Sequence, residues 1–577
     1  MKKLLRSVLT VVLLGALFAS CKNKAPKEAR LIPKNASFVF VMDAKSMQDK
    51  LQKGGISVDA LLKKVFQNDS TDQKDRELFN DLNNNAGINW NSRIFVFTTQ
   101  KIVGSAPETA VSFLTELTDP AKFEAFLKKQ PDMAGKEFKK EGTYSYVMPE
   151  KSVMISWSDK NVLTTLYTST GGKPVYDTTT MTFKAPEEVD VTAALKTEVN
   201  AYFTQKESES LADNDIFNDM FKEKADGYMF TNSNSALAAL TMLPMQLPKL
   251  EELLKDNYST STLSFENGRI IAKTTSYPNK LAGSLLKQYG GATVNMSMLE
   301  HYPSQSINGV MMASFNPEII GGLLKQLEVE GLANAALQKS GLTMQDIYKA
   351  LKGDLAFIVS DLSIAQPEPQ AGQDEVTMTR KKPIGKMIFN ANIGDKAAFA
   401  KLMDKAAEQG FVTKNGTTYK GGALLTMLGF YLQADDKNFI LASDSLTYAK
   451  YVANTEKAVL SNDIMKQFKD KSMVAYFDIA RTIDGFIAGA GKTGFDKSMR
   501  TARNTFKDAI ATGNNFDGKT LKGEFELRMQ DEKQNSLVTL MSLVTDVATD
   551  MREQARRQRE MEDKIFPAGV PAIIRTN

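Results

Sequence analysis

The sequence predicts an α+β fold made of two tandem homologous halves, each with antiparallel sheets covered by helices. Three observations lead there. Short β-branched and aromatic stretches read as strands, among them SFVFVMD (37–43), TYSYVMP (143–149), SVMISWS (152–158), FYLQADD (430–436) and KGEFELRM (522–529). PAKFEAFLKK (120–129), KAAFAKLMDKAAEQ (396–409) and PEIIGGLLKQLEVEGLANAALQK (317–339) place apolar residues three and four apart, the helical spacing. Strands follow one another through Gly-containing turns, KEGTY (140–144), ENGR (266–269) and KNGTT (414–418), which favours hairpins over parallel crossovers.

Composition sets the outer bounds. The 577 residues are 42% hydrophobic and 24% charged, a balance that suits packed domains and excludes a largely disordered chain. Net charge is +4, and three of the positive charges, Lys2, Lys3 and Arg6, lie in the first twenty residues. The near-neutral remainder lacks the concentrated basic face that nucleic-acid binding requires, so no nucleic-acid partner is expected. One cysteine, Cys21, and one histidine, His301, exclude disulfides within the chain, Cys/His zinc sites and any Ser-His-Asp triad not built on His301.

Residues 1–20, MKKLLRSVLTVVLLGALFAS, combine a basic start, an apolar stretch from Val8 to Phe18 and small residues before Cys21, the pattern of a cleaved signal peptide. The apolar run is too short to span about 30 Å of hydrocarbon comfortably. LFASC resembles the lipobox of bacterial lipoproteins, in which the cysteine thiol takes up diacylglycerol before cleavage; Phe18 departs slightly from the usual pattern. The chain's one cysteine occupies the position that lipidation needs. Residues 21–30 form a polar tether.

Beyond the tether, segments recur in the same order. VSFLTELTDPAKFEAFLK (111–128) aligns without a gap to MIFNANIGDKAAFAKLMD (387–404), placing Phe113 on Phe389, Asp119 on Asp395 and Phe123 on Phe399. Each copy reads as a strand running into a helix, with the shared Asp as its N-cap and both phenylalanines expected inside. KSVMISWSDKNVLTTLY (151–167) matches DKNFILASDSLTYAKYV (436–452), with Ser158-Asp159 on Ser443-Asp444, again as strand, cap and helix. Weaker pairs are 31–43 with 301–314, 92–97 with 354–359, 225–232 with 472–479, and 265–271 with 516–521. These matches divide the chain into halves at 31–285 and 300–545. Residues 363–385 and 205–219, polar and charged, are expected as solvated loops.

With this signal, tether and opening segment LIPKNASFVFVMDAKSM (31–47), the chain resembles a Bacteroidetes outer-membrane lipoprotein family of unknown function with duplicated halves. The resemblance covers essentially the whole mature chain. It implies an envelope protein and brings no catalytic residues with it.

Strings that look like chemistry fail on spacing or context. GFIAGAGKTG (485–494) ends like a phosphate loop, yet the position that needs glycine holds Phe486, and a helix precedes it where a strand should. Ser284–Lys287, Ser306–Asn308 and Lys492–Gly494 mimic the three signatures of penicillin-interacting serine enzymes, but Lys492–Gly494 sits in a glycine turn instead of on a strand edge. Asp213, Asp215 and Asp219 lack the glycine and terminal glutamate of a calcium loop. Trp157, within an apolar strand, reads as core, and the 27 methionines read as core filler. His301, just before Tyr302-Pro303, reads as a surface or boundary residue and not as a catalyst.

Leu537, Leu540, Met541, Val544, Val547 and Met551 form a helical stripe, and residues 546–577 continue it into a charged run and an apolar tail with Ile565, Phe566, Val570, Ile573 and Ile574. Docking of this segment on its own chain is expected, because exposed apolar surface of that size is rare. No catalytic, cofactor-binding or metal residues are assigned, and Cys21 is the one site residue, for lipidation. The expected function is that of a non-enzymatic, lipid-anchored envelope protein that binds a ligand or partner protein. It would sit at the outer membrane, on the periplasmic face. The alternatives are a carbohydrate or peptidoglycan hydrolase working through two carboxylates, and a glycan-capture accessory protein.

Overall fold

A computed structural model describes residues 26–57, 70–103, 106–169, 175–177, 182–184, 189–234, 249–364, 383–458, 460–490 and 496–547. Cys21, Lys492 and the tail 548–577 lie outside the described residues, as does nearly all of the polar segment expected as a loop at 363–385. Twenty strands form one antiparallel sheet, with a separate hairpin beside it. In chain order the strands are β1 (Phe38–Asp43), β2 (Arg93–Val103), β3 (Ala106–Glu116), β4 (Lys139–Glu141), β5 (Tyr144–Glu150), β6 (Val153–Trp157), β7 (Asn161–Ser169), the separate hairpin β8 (Val175–Asp177) and β9 (Thr182–Lys184), β10 (Gly227–Asn232), β11 (Tyr258–Glu266) and β12 (Arg269–Tyr277). There follow β13 (Ile307–Ser314), β14 (Leu351–Ile364), β15 (Pro383–Ile393), β16 (Val412–Asn415), β17 (Thr418–Gly421), β18 (Tyr431–Ala434), β19 (Asn438–Ala442), β20 (Met473–Asp478), β21 (Phe506–Gly513) and β22 (Leu521–Met529).

The pairing scheme of the first ten sheet strands recurs in the second ten. Across the sheet the order is β4-β5-β6-β7-β3-β2-β1-β10-β11-β12, then β22-β21-β20-β13-β14-β15-β19-β18-β17-β16. The two runs meet at β12 and β22, which pair from Arg269 opposite Arg528 to Ser276 opposite Leu521. Phe230 and Tyr476 are counterparts, since each pairs with a buried valine of the first strand of its run, Val39 and Val310. Stepping outward from them, Thr260 and Thr275 correspond to Ile510 and Glu526, and so Lys273 corresponds to Glu524. Those two are also directly opposite each other across the seam. The register is therefore that of an approximate two-fold through the Lys273–Glu524 pair. The outer edges are short and charged, KKE in β4 and VTKN in β16, which discourages edge-to-edge pairing with other chains.

Alternation along the strands buries both faces. In β7, Leu163 and Tyr167 face a core with Phe95, Phe97 and Phe230, while Val162 faces another with Phe123 and Trp157. In β19, Ile440 and Ala442 face Val310 and Tyr476, while Phe439 and Leu441 face Phe399 and Tyr419. Asp119 and Asp395 are N-caps as the sequence predicts, accepting from the amides of Lys122 and Ala398, and Phe123 and Phe399 behind them are buried. Each buried Phe contributes roughly 1.5–3 kcal/mol. A fifth core sits on the seam, where helix 536–547 lays Leu537 and Val538 against Leu51, Phe265, Ile270 and Met529. Ser536 Oγ donates to Arg269 O at 2.8 Å and fixes the start of this helix. Its stripe is only partly covered, because Val544 and Val547 remain exposed.

Several expectations need correcting. Phe113 is 51% exposed and Phe389 half-buried, because the residues that face the core in those strands are Ser112, Leu114, Ile388 and Asn390. Ser158-Asp159 caps no helix; it lies in the turn between β6 and β7, where Ser158 Oγ accepts from the amide of Asn161 at 3.2 Å. Ser443-Asp444 does precede a helix, with Asp444 accepting from Thr447 N at 2.8 Å. The sequence match at that point joins β6 to β19, whereas the counterpart of β6 in the pairing order is β18. Segment 205–219 is not a solvated loop. Its short helical turns bury Leu211 and Phe217 completely in the first-half core. The long helix read at 317–339 is two, Glu318–Gln326 and Glu330–Leu337, broken where Glu328 takes a positive φ of 59°.

The turn between β21 and β22 has a pH signature. Asp517 accepts hydrogen bonds from the amides of Thr520 and Lys519 and from the Thr520 hydroxyl, and these hold its carboxyl down at about 2. A depressed folded value means the stabilisation is complete above the unfolded value of about 4 and fades as the pH falls toward 2. Asp517→Asn should therefore unfold at a lower temperature than wild type at pH 7, with the gap closing by pH 2. Thermal midpoints measured across that range check it.

Candidate functional site

Antiparallel pairing brings the start of β1, the end of β10, the start of β11, the end of β12 and the start of β22 to one edge of the seam. There a cleft of about 450 Å³ opens, lined by Ser37, Thr231, Asn232, Ser233, Asn257, Tyr258, Ser259, Ser276, Tyr277, Pro278 and Leu521. Its size falls in the range of small-molecule sites, roughly 300–1,000 Å³. Among the described residues, none that lines the cleft carries a charge.

The floor consists of cross-strand pairs. Tyr258 lies opposite Tyr277 and Ser259 opposite Ser276, whose hydroxyls bond each other at 2.8 Å. The Tyr258 ring stacks on buried Phe230, with centroids 5.7 Å apart. Burial, and then the nearby Asp256 carboxylate, push the Tyr258 hydroxyl above the ordinary tyrosine range, so it stays protonated and able to donate at neutral pH.

The wall is a loop pinned by side chains. Asn257 Nδ2 donates to Leu253 O and Leu254 O at 2.9 and 2.8 Å, while its Oδ1 accepts from Asn279 N at 2.7 Å. Asn279 Nδ2 in turn donates to Glu252 O, Leu253 O and Lys255 O, and its Oδ1 caps the following helix at Ala282 N. Asp256 holds a positive φ of 57°, with its amide bonded to Asn234 Oδ1 at 2.9 Å. A wall fixed this way loses little further freedom when a ligand arrives. Among the described residues, the hydroxyls of Thr231 and Tyr277 make no hydrogen bond and remain available to a ligand.

The counterpart of this cleft in the second run holds a buried ion pair. Asp508 opposite Arg528 stands where Tyr258 lies opposite Tyr277. Arg528 donates from Nε and Nη2 to the two Asp508 oxygens at 2.6 and 2.7 Å, and from Nη1 to Asp463 at 3.0 Å. Burial works against the charge on Arg528, but the Asp508 bonds outweigh it and raise its pKa.

A second polar cluster is a poor candidate. Lys101 lies 3.3 Å from Glu198 and 3.8 Å from Glu108, beside Tyr167, around a void of about 50 Å³. That holds a water or two. Burial pushes Tyr167 up to about 12, and the Tyr167 hydroxyl and Glu198 hold Lys101 above its usual range against its own burial, so neither is primed as a nucleophile.

The strings singled out in the sequence do not converge. Ser284 and Lys287 lie on helix Lys280–Gln288, and Asn308 is a bulged residue of β13 that bonds Thr482 Oγ1 and Leu362 N. Gly485 lies inside helix Ile479–Ala490, packed against β14. His301 ends a short helix, edge-on to Tyr451. Asp213 and Asp219 pair with Lys34 and Lys222, and no group of three metal-ligating side chains occurs among the described residues. Trp157 is buried edge-on to Phe123 and Phe138, in the core as expected. Sequence reasoning missed the cleft. Its one local signal is the Ser/Thr-rich pair YSTSTLSF (258–265) and IIAKTTSY (270–277), polar strands where core strands would be apolar.

Fold and cleft together define an α+β protein with a continuous antiparallel sheet and a neutral polar cleft at its mid-line. The chain belongs to the family described as a domain of unknown function, DUF4836, whose model matches residues 29–511. No curated protein matches. A solved structure titled "Structure of crystal form IV of TP0453" is 9% identical over 44% of this chain and 81% of its own, with a TM-score of 0.21, too low to inform the fold. Among the described residues no helix is long and apolar enough to cross a membrane.

Proposed function

We propose that this chain is a lipid-anchored envelope protein, built by duplication, that holds a ligand in the seam cleft without transforming it. The observation that carries the reading is the cleft itself, an open depression of about 450 Å³ whose described lining is uncharged and whose wall is held by Asn257 and Asn279. Acid–base chemistry on a bound molecule needs a titratable group within reach of it, and the lining offers only tyrosines. The matching strand orders and the two-fold register at Lys273 and Glu524 support the duplication. The two equivalent positions differ, one holding the Tyr258–Tyr277 pair and the other the Asp508–Arg528 ion pair.

The anchor rests on residues 1–21. Two or more acyl chains on Cys21 would give stable attachment, since each buried methylene adds about 0.8 kcal/mol and a single chain is marginal. Lys22 is not the Asp that resembles an inner-membrane retention signal, and KNKAPK lacks the acidic run that resembles a surface-export signal, which favours the periplasmic face of the outer membrane. Cys21→Ser should abolish incorporation of an alkyne fatty acid and move the protein out of the membrane fraction. Wild-type protein that is soluble and unlabelled would refute the anchor.

Ligand binding is tested by filling the cleft. Leu521 lines it from the second run. The small-molecule and glycan fraction of native envelopes should raise the thermal midpoint of the wild-type lipoprotein and leave Leu521→Trp unmoved. No shift, or equal shifts in both proteins, refutes binding there.

A second reading, docking of a partner protein, is favoured by one observation. Met311, Phe357 and Phe525 are exposed by 58%, 39% and 42% on one face of the sheet, and Met311 pairs directly with Phe357.

A further inference from the structure

We infer that the cleft takes a neutral, polyhydroxylated ligand, an oligosaccharide of uncharged rings, and that Tyr277 is its main contact. This rests on the ligand-binding reading above and narrows it to a chemical class. All lining residues except Pro278 and Leu521 carry a hydroxyl or carboxamide, groups that both donate and accept. Such a lining suits a ligand whose own groups do the same around a ring.

Other classes fit poorly. A phosphate or carboxylate would leave water and meet no counter-charge, at a cost neutral donors only partly offset. A purely apolar ligand would strand the hydroxyls of Thr231 and Tyr277 without partners. A sugar answers both halves of the lining. Its hydroxyls meet Thr231, Tyr277 and the Ser259–Ser276 pair, while its C–H faces meet the tyrosine rings, Pro278 and Leu521.

The two tyrosines divide the work. Tyr258 is committed to the protein, stacked on Phe230 with its hydroxyl 3.5 Å from Asp256. Tyr277, beside it across the pair, is only half-buried and its hydroxyl has no partner among the described residues. The equivalent position in the second run offers a contrast, with the bonded Asp508–Arg528 ion pair where the cleft has two neutral tyrosines.

The test uses the full-length lipoprotein in a zwitterionic, sugar-free detergent. Maltotriose, cellotriose and N-acetylated chitotriose are the neutral probes; trigalacturonate and inorganic phosphate are the charged ones. At least one neutral trisaccharide should bind by calorimetry and show saturation transfer from the protein. Tyr277→Ala should weaken that binding about tenfold, as expected for losing one ring face and one hydrogen bond, with the far-UV circular dichroism of the folded protein retained. Tyr277→Phe should fall between the two. Absence of binding by every neutral probe at about 10 mM, well above ordinary sugar affinities, would overturn the inference. So would tighter binding of trigalacturonate or phosphate, or affinity indifferent to Tyr277→Ala. If the native envelope fraction still protects wild type and not Leu521→Trp while every sugar fails, the ligand class is wrong and the binding reading stands.

Discussion

Arg528→Ala should lower the unfolding free energy by about 3–5 kcal/mol, the usual cost of removing one partner from a buried ion pair. Asp508 has a side chain only 4% exposed and Arg528 only 16%, so water cannot replace the lost guanidinium. Two bonds to the Asp508 carboxylate and one to Asp463 disappear together. The neighbouring Glu526 also suffers, because it keeps Arg269 at 3.3 Å but loses the positive charge two residues away on its own strand. Chemical denaturation followed by far-UV circular dichroism reads the change. Removing both members, Asp508→Leu with Arg528→Met, should recover most of the loss, since a packed apolar pair leaves no buried charge. A loss below about 1 kcal/mol in the single variant would mean that the pair is solvated and behaves as a surface salt bridge.

The same pair explains what the sequence could and could not reveal. Local features were legible. The Asp119 and Asp395 caps, the Gly-containing hairpin turns and the helix ending near Ala490 all depend on residues close in the chain, and they appear as read. Strand faces were not. In β3, Phe113 and Leu114 are both large and apolar and adjacent, so periodicity alone cannot say which one enters the core. Where a cap anchors the recurring segments, the match of Phe113 to Phe389 agrees with the pairing order, which puts Ser112 of β3 and Ile388 of β15 at equivalent places. The match failed one strand further on, where it joined β6 to β19. Leu211 and Phe217 were hidden because acidic neighbours gave their segment a solvated look.

The cleft was illegible for a different reason. Its residues come from the ends of five strands, spread from Ser37 to Leu521, and only the seam pairing of β12 with β22 assembles them. No short motif holds more than a few of them. What survives locally is the run of Ser and Thr along β11 and β12, which reads as an ordinary exposed hairpin until its neighbours are known. The Asp508–Arg528 pair is equally invisible, because its members look like two solvated charges in separate strands. The contrast between these two equivalent places needs the strand order to be seen.

Gly353→Ala should destabilise the chain by about 3–4 kcal/mol, from two causes that act together. Gly353 has φ of +100°, a conformation that costs an L-residue roughly 1–2 kcal/mol. A methyl there would also collide with the Phe315 carbonyl oxygen and lie 3.0 Å from Pro317 Cδ, an overpacking worth about 1–3 kcal/mol. Neither obstacle can move easily, because Phe315 N donates to Gly353 O at 3.3 Å and Pro317 opens the next helix. The glycine sits where the register of β14 against β15 shifts between Leu351 and Leu355. Gly485→Ala separates the two causes. Gly485 is inside a helix, where alanine ordinarily gains about 1 kcal/mol, but its methyl would strike the Leu362 carbonyl oxygen. The steric cost of about 1–3 kcal/mol should outweigh that gain, for a net loss on the order of 1 kcal/mol. Denaturant midpoints of the two variants should then rank wild type above Gly485→Ala and both well above Gly353→Ala. A stabilised Gly485→Ala would show that the helix stands further from β14 than described, and that the glycine so suggestive of a phosphate loop has no packing role there.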